Sequence, residues 1–238
     1  MSPSASSLRL VAIPLLLALV AARADDAAPV PAAIATRWAE IGHLAAPAER
    51  AAAYDALIAE LDALATASPD SAEPLAWKGI VLASAARAGG GLAALDRAKS
   101  ARDLLLQAVH RDGHTLNGAV YAALGQLYYR APRWPLGFGD PDKAVEYFRQ
   151  ALEIDPESID ANYFLADWLA AHGDDHQALI HARKALAAPT RPALALADRA
   201  RRTETETLLA NIEERLADAE QKQRHGGFWD SAVVRAFR

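Results

Sequence analysis

Residues Gly139–Pro156 read GDPDKAVEYFRQALEIDP, and residues Gly173–Thr190 read GDDHQALIHARKALAAPT. Laid over one another, Gly139 meets Gly173, Asp140 meets Asp174, Ala144 meets Ala178, Ala151 meets Ala185 and Leu152 meets Leu186, each pair 34 residues apart. That period belongs to helix–turn–helix units stacked in a row. The residue types fit: Ala at the crossing of two helices lets their backbones approach, and a large residue such as Phe148 fills space towards the next unit. Pro156 ends the second helix, because it cannot continue the hydrogen-bond ladder.

The first helices of the units agree. Tyr121, Leu124, Gly125 and Tyr128 in VYAALGQLYY follow the W-x-x-L-G-x-x-Y spacing with Tyr in place of Trp. Asn162, Leu165, Ala166 and Leu169 occupy these places in the next unit. An earlier unit shows in Leu75, Gly79 and Leu82, with Ala101, Leu105 and Ala108 on its second helix. Over Asp70 to Pro189 the chain resembles the tetratricopeptide repeat superfamily. The expected fold is all-α, a helix–turn–helix solenoid of about three repeats, with a degenerate N-terminal helical pair and a long C-terminal capping helix. Composition agrees: the 52% hydrophobic content is carried by Ala and Leu, which favour helix over strand.

The expected organisation has five parts. Residues 1–24 read as an export signal: Arg9, the apolar run Leu10–Ala22 and a small-x-small cleavage site at Ala22-Arg23-Ala24. The run is short for a bilayer span, which needs about 20 apolar residues, so no stable membrane span is expected. Cleavage after Ala24 would place the mature chain in the periplasm of a bacterium. Residues 25–68 hold the degenerate helical pair and residues 69–190 the array. Residues 191–224 form the capping helix, with Leu208, Leu209, Ile212 and Leu216 on one face. Residues 225–238 form a tail beyond a Gly226-Gly227 hinge, either folded back on the array or free to meet a partner.

Between the two helices of the middle repeat lies RAPRWPLGF, residues 130–138, which an ordinary repeat lacks. Pro132 and Pro135 stiffen it. Gly137 and Gly139 are expected to supply backbone angles closed to other residues. Trp134 and Phe138 either pack over neighbouring helices or form one wall of a binding site.

A narrower resemblance rests on KGIVLASAARAGGGLAALDRAKSARDLL, YYRAPRWPLGFGDPDKA and DANYFLADWL. These segments resemble a family of exported bacterial tetratricopeptide proteins. They are distantly similar to the repeat component associated with tripartite ATP-independent periplasmic (TRAP) transporters and to the repeat domain of eukaryotic regulators of microtubule dynamics. The transporter resemblance implies a protein partner in the periplasm, a solute-binding protein, and leaves room for a small apolar ligand and for an oligomer.

In such repeats the first helices line the concave face. The inward positions are Glu73, Ala76, Ile80, Ala83 and Ser84; then Ala119, Ala122, Gln126, Tyr129 and Arg130; then Asp160, Tyr163, Asp167, Ala170 and Ala171. The candidate partner or ligand residues are Gln126, Tyr129, Arg130, Trp134, Phe138, Tyr163 and Asp167. The Lys/Asn clamp that chaperone-binding repeats use for C-terminal carboxylates is absent from these positions. The net charge of −5 with no basic stripe argues against nucleic acid. Zero cysteines exclude disulfides, thiolate metal sites and a Cys nucleophile. His172, Asp174, Asp175, His176 and His181 cluster in sequence, but His176 and His181 are five apart and face apart on a helix. A polar turn near a helix N-terminus is the expected role. No motif for a catalytic centre, metal or cofactor is found, so the expectation is a non-catalytic scaffold for protein–protein interaction. The alternative is a ligand-binding or accessory subunit of a periplasmic solute transport system.

Overall fold

The computed structural model describes residues 30–236, with side chains described for residues 32–224. The export signal and the side chains of the tail lie outside the described residues. Among the described residues nine α-helices follow in order: α1 Val30–His43, α2 Pro47–Ala67, α3 Glu73–Gly89, α4 Gly91–Arg111, α5 Ala119–Arg130, α6 Pro141–Ile154, α7 Ile159–Ala171, α8 Asp175–Ala187 and α9 Ala195–Ala236. Among these residues there is no strand; the one bridge joins Arg133 and Gly139.

The hairpins α3/α4, α5/α6 and α7/α8 stack into a tetratricopeptide-type solenoid. Ala101 and Ala108 of α4, Ala144 and Ala151 of α6, and Ala178 and Ala185 of α8 are all buried. In the first two hairpins a glycine of the first helix receives a larger residue from the second. A Cβ on Gly79 would lie 2.6 Å from Leu105, and one on Gly125 would lie 2.4 Å from Phe148. Phe148 then stacks on Phe164 of α7 at 5.7 Å, carrying the core into the next repeat. Where α7 has Ala166 instead of glycine, α8 has Ala182 at the position of Phe148, so the two changes of size compensate.

Helix starts are set locally. Asp140 accepts from the backbone N–H groups of Asp142 and Lys143, Ser158 from that of Ala161, and Asp174 from that of Gln177. Each satisfies donors that the first turn leaves without an intrahelical partner.

The extra residues between the two helices of the first full repeat form no loop. They lengthen the helices: α3 has 17 residues and α4 has 21, against 12 to 14 in α5 to α8. Only Gly90 separates them, and it and Gly91 make the turn with φ of 64° and 72°, a left-handed geometry cheap for glycine. The α3/α4 hairpin is therefore longer than the two hairpins that follow it.

The insertion after α5 is a loop, tied down by its own backbone. Gly139 N donates to Pro132 O at 2.8 Å and Asp140 N to Tyr128 O at 2.9 Å. Gly137 and Gly139 are required for a reason other than the expected one. Neither has positive φ; a Cβ on Gly139 would sit 2.0 Å from Ala131 O and one on Gly137 2.5 Å from Pro132 O. Close approach of the loop's two arms excludes any larger residue.

The C-terminal helix also departs from expectation. Ile212 is buried, with Leu208, Leu209 and Leu216 packed on the same core. The helix continues through Gly226 and Gly227 to Ala236, where a hinge is expected from the sequence. Two helical glycines cost about 1 kcal/mol each relative to alanine, which weakens a helix without ending it. At its other end α9 does more than cover α8. Its first turns pack on α7 and α1, and in the turn just before it Ala193 O accepts from Thr36 Oγ1 at 3.1 Å.

Candidate functional site

Some of the expected inward positions, among them Ile80, Ser84, Ala122, Gln126, Asp160 and Tyr163, border spaces that α9 partly covers. Opposite α7 the cover is ionic. Arg191, just before α9, donates to Asp198 through its backbone N at 2.7 Å and through its guanidinium at 2.5 Å, and reaches Asp160 at 2.8 Å. Arg201 Nε donates to the other oxygen of Asp160 at 2.9 Å, and its guanidinium lies 4.5 Å from the ring centres of both Tyr163 and Phe164. Burial alone would raise the Asp160 pKa, but Arg201 and Arg191 outweigh it and hold the carboxyl below its ordinary range. Burial lifts the Tyr163 phenol above its ordinary value, with Glu204 adding to the effect. Thus Asp160 and Tyr163, expected on an open groove, are satisfied within the chain by α9.

Opposite α3 and α5 the cover stands off. Ala119, Ala122 and Ala123 of α5 face Ala197 and Ala200 of α9, and small residues on both sides leave a narrow cavity of about 120 Å³. Helix α1 closes its far end. Trp38 Nε1 donates to Ser84 Oγ at 2.9 Å, and the Trp38 and Trp77 rings lie 6.2 Å apart. His43 at this end has its pKa lowered by burial and then by Arg87. Trp77 Nε1 is buried without an acceptor among the described residues.

A larger cavity of about 540 Å³ opens on the other side of the Ser84–Gln126–Arg201 line. Its apolar wall comes from α4, with Ala94, Leu95 and Ala98, and from Leu127 of α5. Ala131 and Pro132 of the inserted loop form its rim. Arg87, Ser84, Gln126, Arg201 and Glu204 border both spaces.

The candidate residues divide accordingly. Gln126 borders both cavities, and Arg130 and Tyr163 border the larger one. Asp167 pairs with Arg130 at 3.0 Å. Tyr129 is half-buried under the Arg130 guanidinium, 5.0 Å from its ring centre, and burial followed by Asp167 raises its pKa. Phe138 packs edge-on against Tyr128 at 5.4 Å with the Arg102 guanidinium 4.6 Å above its ring. It lines neither cavity. Trp134 lines neither and stands at the loop tip, 85% exposed, beside Leu136 at 75%. The two loop aromatics therefore part company: Phe138 packs inward and Trp134 projects.

Several residues here have no signal in the repeat pattern. Arg87 lies at the end of α3, Trp38 belongs to the degenerate pair, and Arg201 and Glu204 sit on the charged side of α9. The charge of Arg87, Arg201 and Glu204 suggests open surface, and only the path of α9 brings Arg201 and Glu204 to the inner face.

The histidine-rich turn disperses. Asp174 caps α8, and Asp175 accepts a two-pronged contact from Arg215 at 2.6 and 3.1 Å, which holds its pKa down. His181 meets Asn162 Oδ1 at 2.9 Å, and His172 stacks on Trp168 at 4.0 Å. Among the described residues no group of three His, Cys, Asp or Glu side chains converges as a metal site would require. Among them no helix is long and apolar enough to cross a membrane.

Comparison with known proteins returns the same class of repeat. Residues 136–197, from the inserted loop through α8 to the start of α9, match the family model described as tetratricopeptide repeat. No curated protein matches the chain. Similar solved structures include TTC0263, described as a thermophilic TPR protein in Thermus thermophilus, at 21% identity and a TM-score of 0.45, covering 71% of this chain and 92% of that one. Two crystal structures of MamA are similar at 16% and 17% identity, with TM-scores of 0.43 and 0.42, covering 71% and 79% of this chain and 92% and 94% of theirs.

Proposed function

We propose that this protein is a non-catalytic scaffold that binds a protein partner in the periplasm, after export and cleavage behind Ala24. A tetratricopeptide-type array offers extended surfaces for protein contact. The observation that carries the reading is the loop tip: Trp134 and Leu136 are 85% and 75% exposed on a loop whose backbone is fixed by internal hydrogen bonds. Holding Trp in water on a rigid support gives up apolar burial that a partner can supply, and little ordering entropy is lost on docking. The expected contact thereby moves from the concave groove, where α9 lies, to its edge. The test is affinity capture from the periplasm of the native host with wild-type protein and with Trp134→Ala/Leu136→Ala. A partner retained by the wild type and lost by the variant supports the reading. Equal retention contradicts it. Intact mass of the exported protein tests the processing, with Asp25 the expected first residue.

The larger cavity favours a second reading, that of a ligand-binding accessory subunit of a periplasmic solute transport system, of the TRAP-associated type. Its volume of about 540 Å³ falls in the roughly 300–1,000 Å³ range of small-molecule sites. A small molecule co-purifying with the protein and identified by mass spectrometry would support this reading.

A further inference from the structure

We infer that the cavity between α3, α4, α5 and α9 binds an amphipathic small molecule with an anionic head, its head at Arg87 and Gln126 and its apolar body along α4. The inference rests on the second reading above and names the chemistry of the guest.

Charge decides the head group. Three arginines and one glutamate border this space: Arg87, Arg130, Arg201 and Glu204. Most of that charge is already matched. Arg130 pairs with Asp167, and Arg201 pairs with both Asp160 and Glu204. Arg87 remains, with no ion pair or hydrogen bond to another described residue. Gln126 on the facing helix likewise makes no side-chain hydrogen bond within the described chain. A guanidinium and a carboxamide on the same rim provide donors to a carboxylate, sulfonate or phosphate head. A cationic head would meet Arg87 unopposed.

The body of the guest follows from the wall. Helix α4 presents Ala94, Leu95 and Ala98, and α5 presents Leu127. Helices α3 and α4 are longer than those of the two later hairpins, and the small alanines on α4 leave space beside α5 unfilled. A guest's hydrocarbon part would gain about 25 cal/mol for each Å² of apolar surface it buries there. A compact polar anion such as inorganic phosphate would leave that wall uncovered.

The experiment uses protein purified from its native host, stripped of co-purifying small molecules by mild organic extraction and checked for its native unfolding midpoint. Calorimetric titration compares three probes of equal chain length: decanoate, decanol and decyltrimethylammonium. Decanoate is expected to bind at least tenfold more tightly than decanol, with no binding by the ammonium. Arg87→Gln, at an exposed position, should keep the unfolding midpoint and reduce the decanoate advantage to less than threefold. Ala94→Trp should fill the space and abolish binding of decanoate, so that saturating decanoate should raise the unfolding midpoint of the wild type and leave that of Ala94→Trp unchanged. Equal binding of all three probes would overturn the anionic assignment and leave a ligand cavity standing. Decanoate binding unchanged in Arg87→Gln and Ala94→Trp would overturn the location. Failure of every probe to bind the wild type would overturn both this inference and the ligand-binding reading.

Discussion

The α7/α8 hairpin and the α3/α4 hairpin reach the inner face through different repeat positions and meet it in opposite ways. On α7, Asp160 and Tyr163 are held by Arg191 and Arg201 from the C-terminal segment, so the groove is closed by salt bridges and stacked rings. On α3, Ala83 and Arg87 look across a cavity at Arg201 and Glu204, while Ser84 beside them is buried under Trp38 of α1. One helix, α9, does both. It engages where the array offers a carboxylate and aromatics, and stands off where the array offers alanine. The inner surface of a repeat array is therefore no uniform binding groove; the residues supplied from outside the repeats decide which part remains available.

Breaking the closed region should give the largest effect. Asp198 is fully buried and holds Arg191, so Asp198→Ala should cost about 3–5 kcal/mol in chemical denaturation by leaving a half-buried guanidinium short of a partner. Phe148→Ala should cost about 3–5 kcal/mol as well, through the cavity it leaves beside Gly125. Gly125→Ala should cost about 1–3 kcal/mol by overpacking, and Phe148→Leu in the same chain should recover part of that loss. The open region should behave otherwise: Ala94→Ser at the cavity wall and Trp134→Ala at the loop tip should each change stability by no more than about 0.5 kcal/mol.

A pH titration sharpens the contrast. The Asp160 pKa is held below its unfolded value, so its ion pairs stabilise the fold above the ordinary carboxylate range, and this contribution is lost as pH falls through and below it. Unfolding midpoints measured from neutral pH down through the carboxylate range should fall less steeply for Asp160→Asn than for the wild type, from a lower starting value. Arg215→Ala should also be mild, costing at most about 1 kcal/mol, since Arg215 is nearly half exposed in its pair with Asp175 and high salt screens such a pair.

Much of the array is legible in the sequence for a physical reason. Ala144, Ala151, Ala178 and Ala185 recur at 34 residues because helices crossing at close range tolerate no larger side chain, and all four are buried. The apolar face of α9 at Ile212 is legible for the same kind of reason. The path of its first turns is not. Arg191, Asp198, Arg201 and Thr205 are polar, and hydropathy periodicity assigns polar residues to solvent unless their partners are known. Those partners lie 31 to 41 residues away in the case of Asp160. The Gly79 repeat also hides its shape, because RAGGGLAALDRAKS has the appearance of a linker and folds as two extra lengths of helix turned on Gly90. Trp134 and Phe138 share a loop, yet only the structure separates the projecting ring from the packed one.

Amide hydrogen exchange across residues 195–212 tests the central claim most directly. If the first half of α9 is locked over the inner face by Asp160, Arg191 and Asp198, its amides should exchange as slowly as those of α7, and Asp198→Ala should accelerate residues 195–205 ahead of the rest of the array. Exchange of 195–205 as fast as that of an exposed, unanchored helix would contradict it, and would return the whole concave surface to a partner.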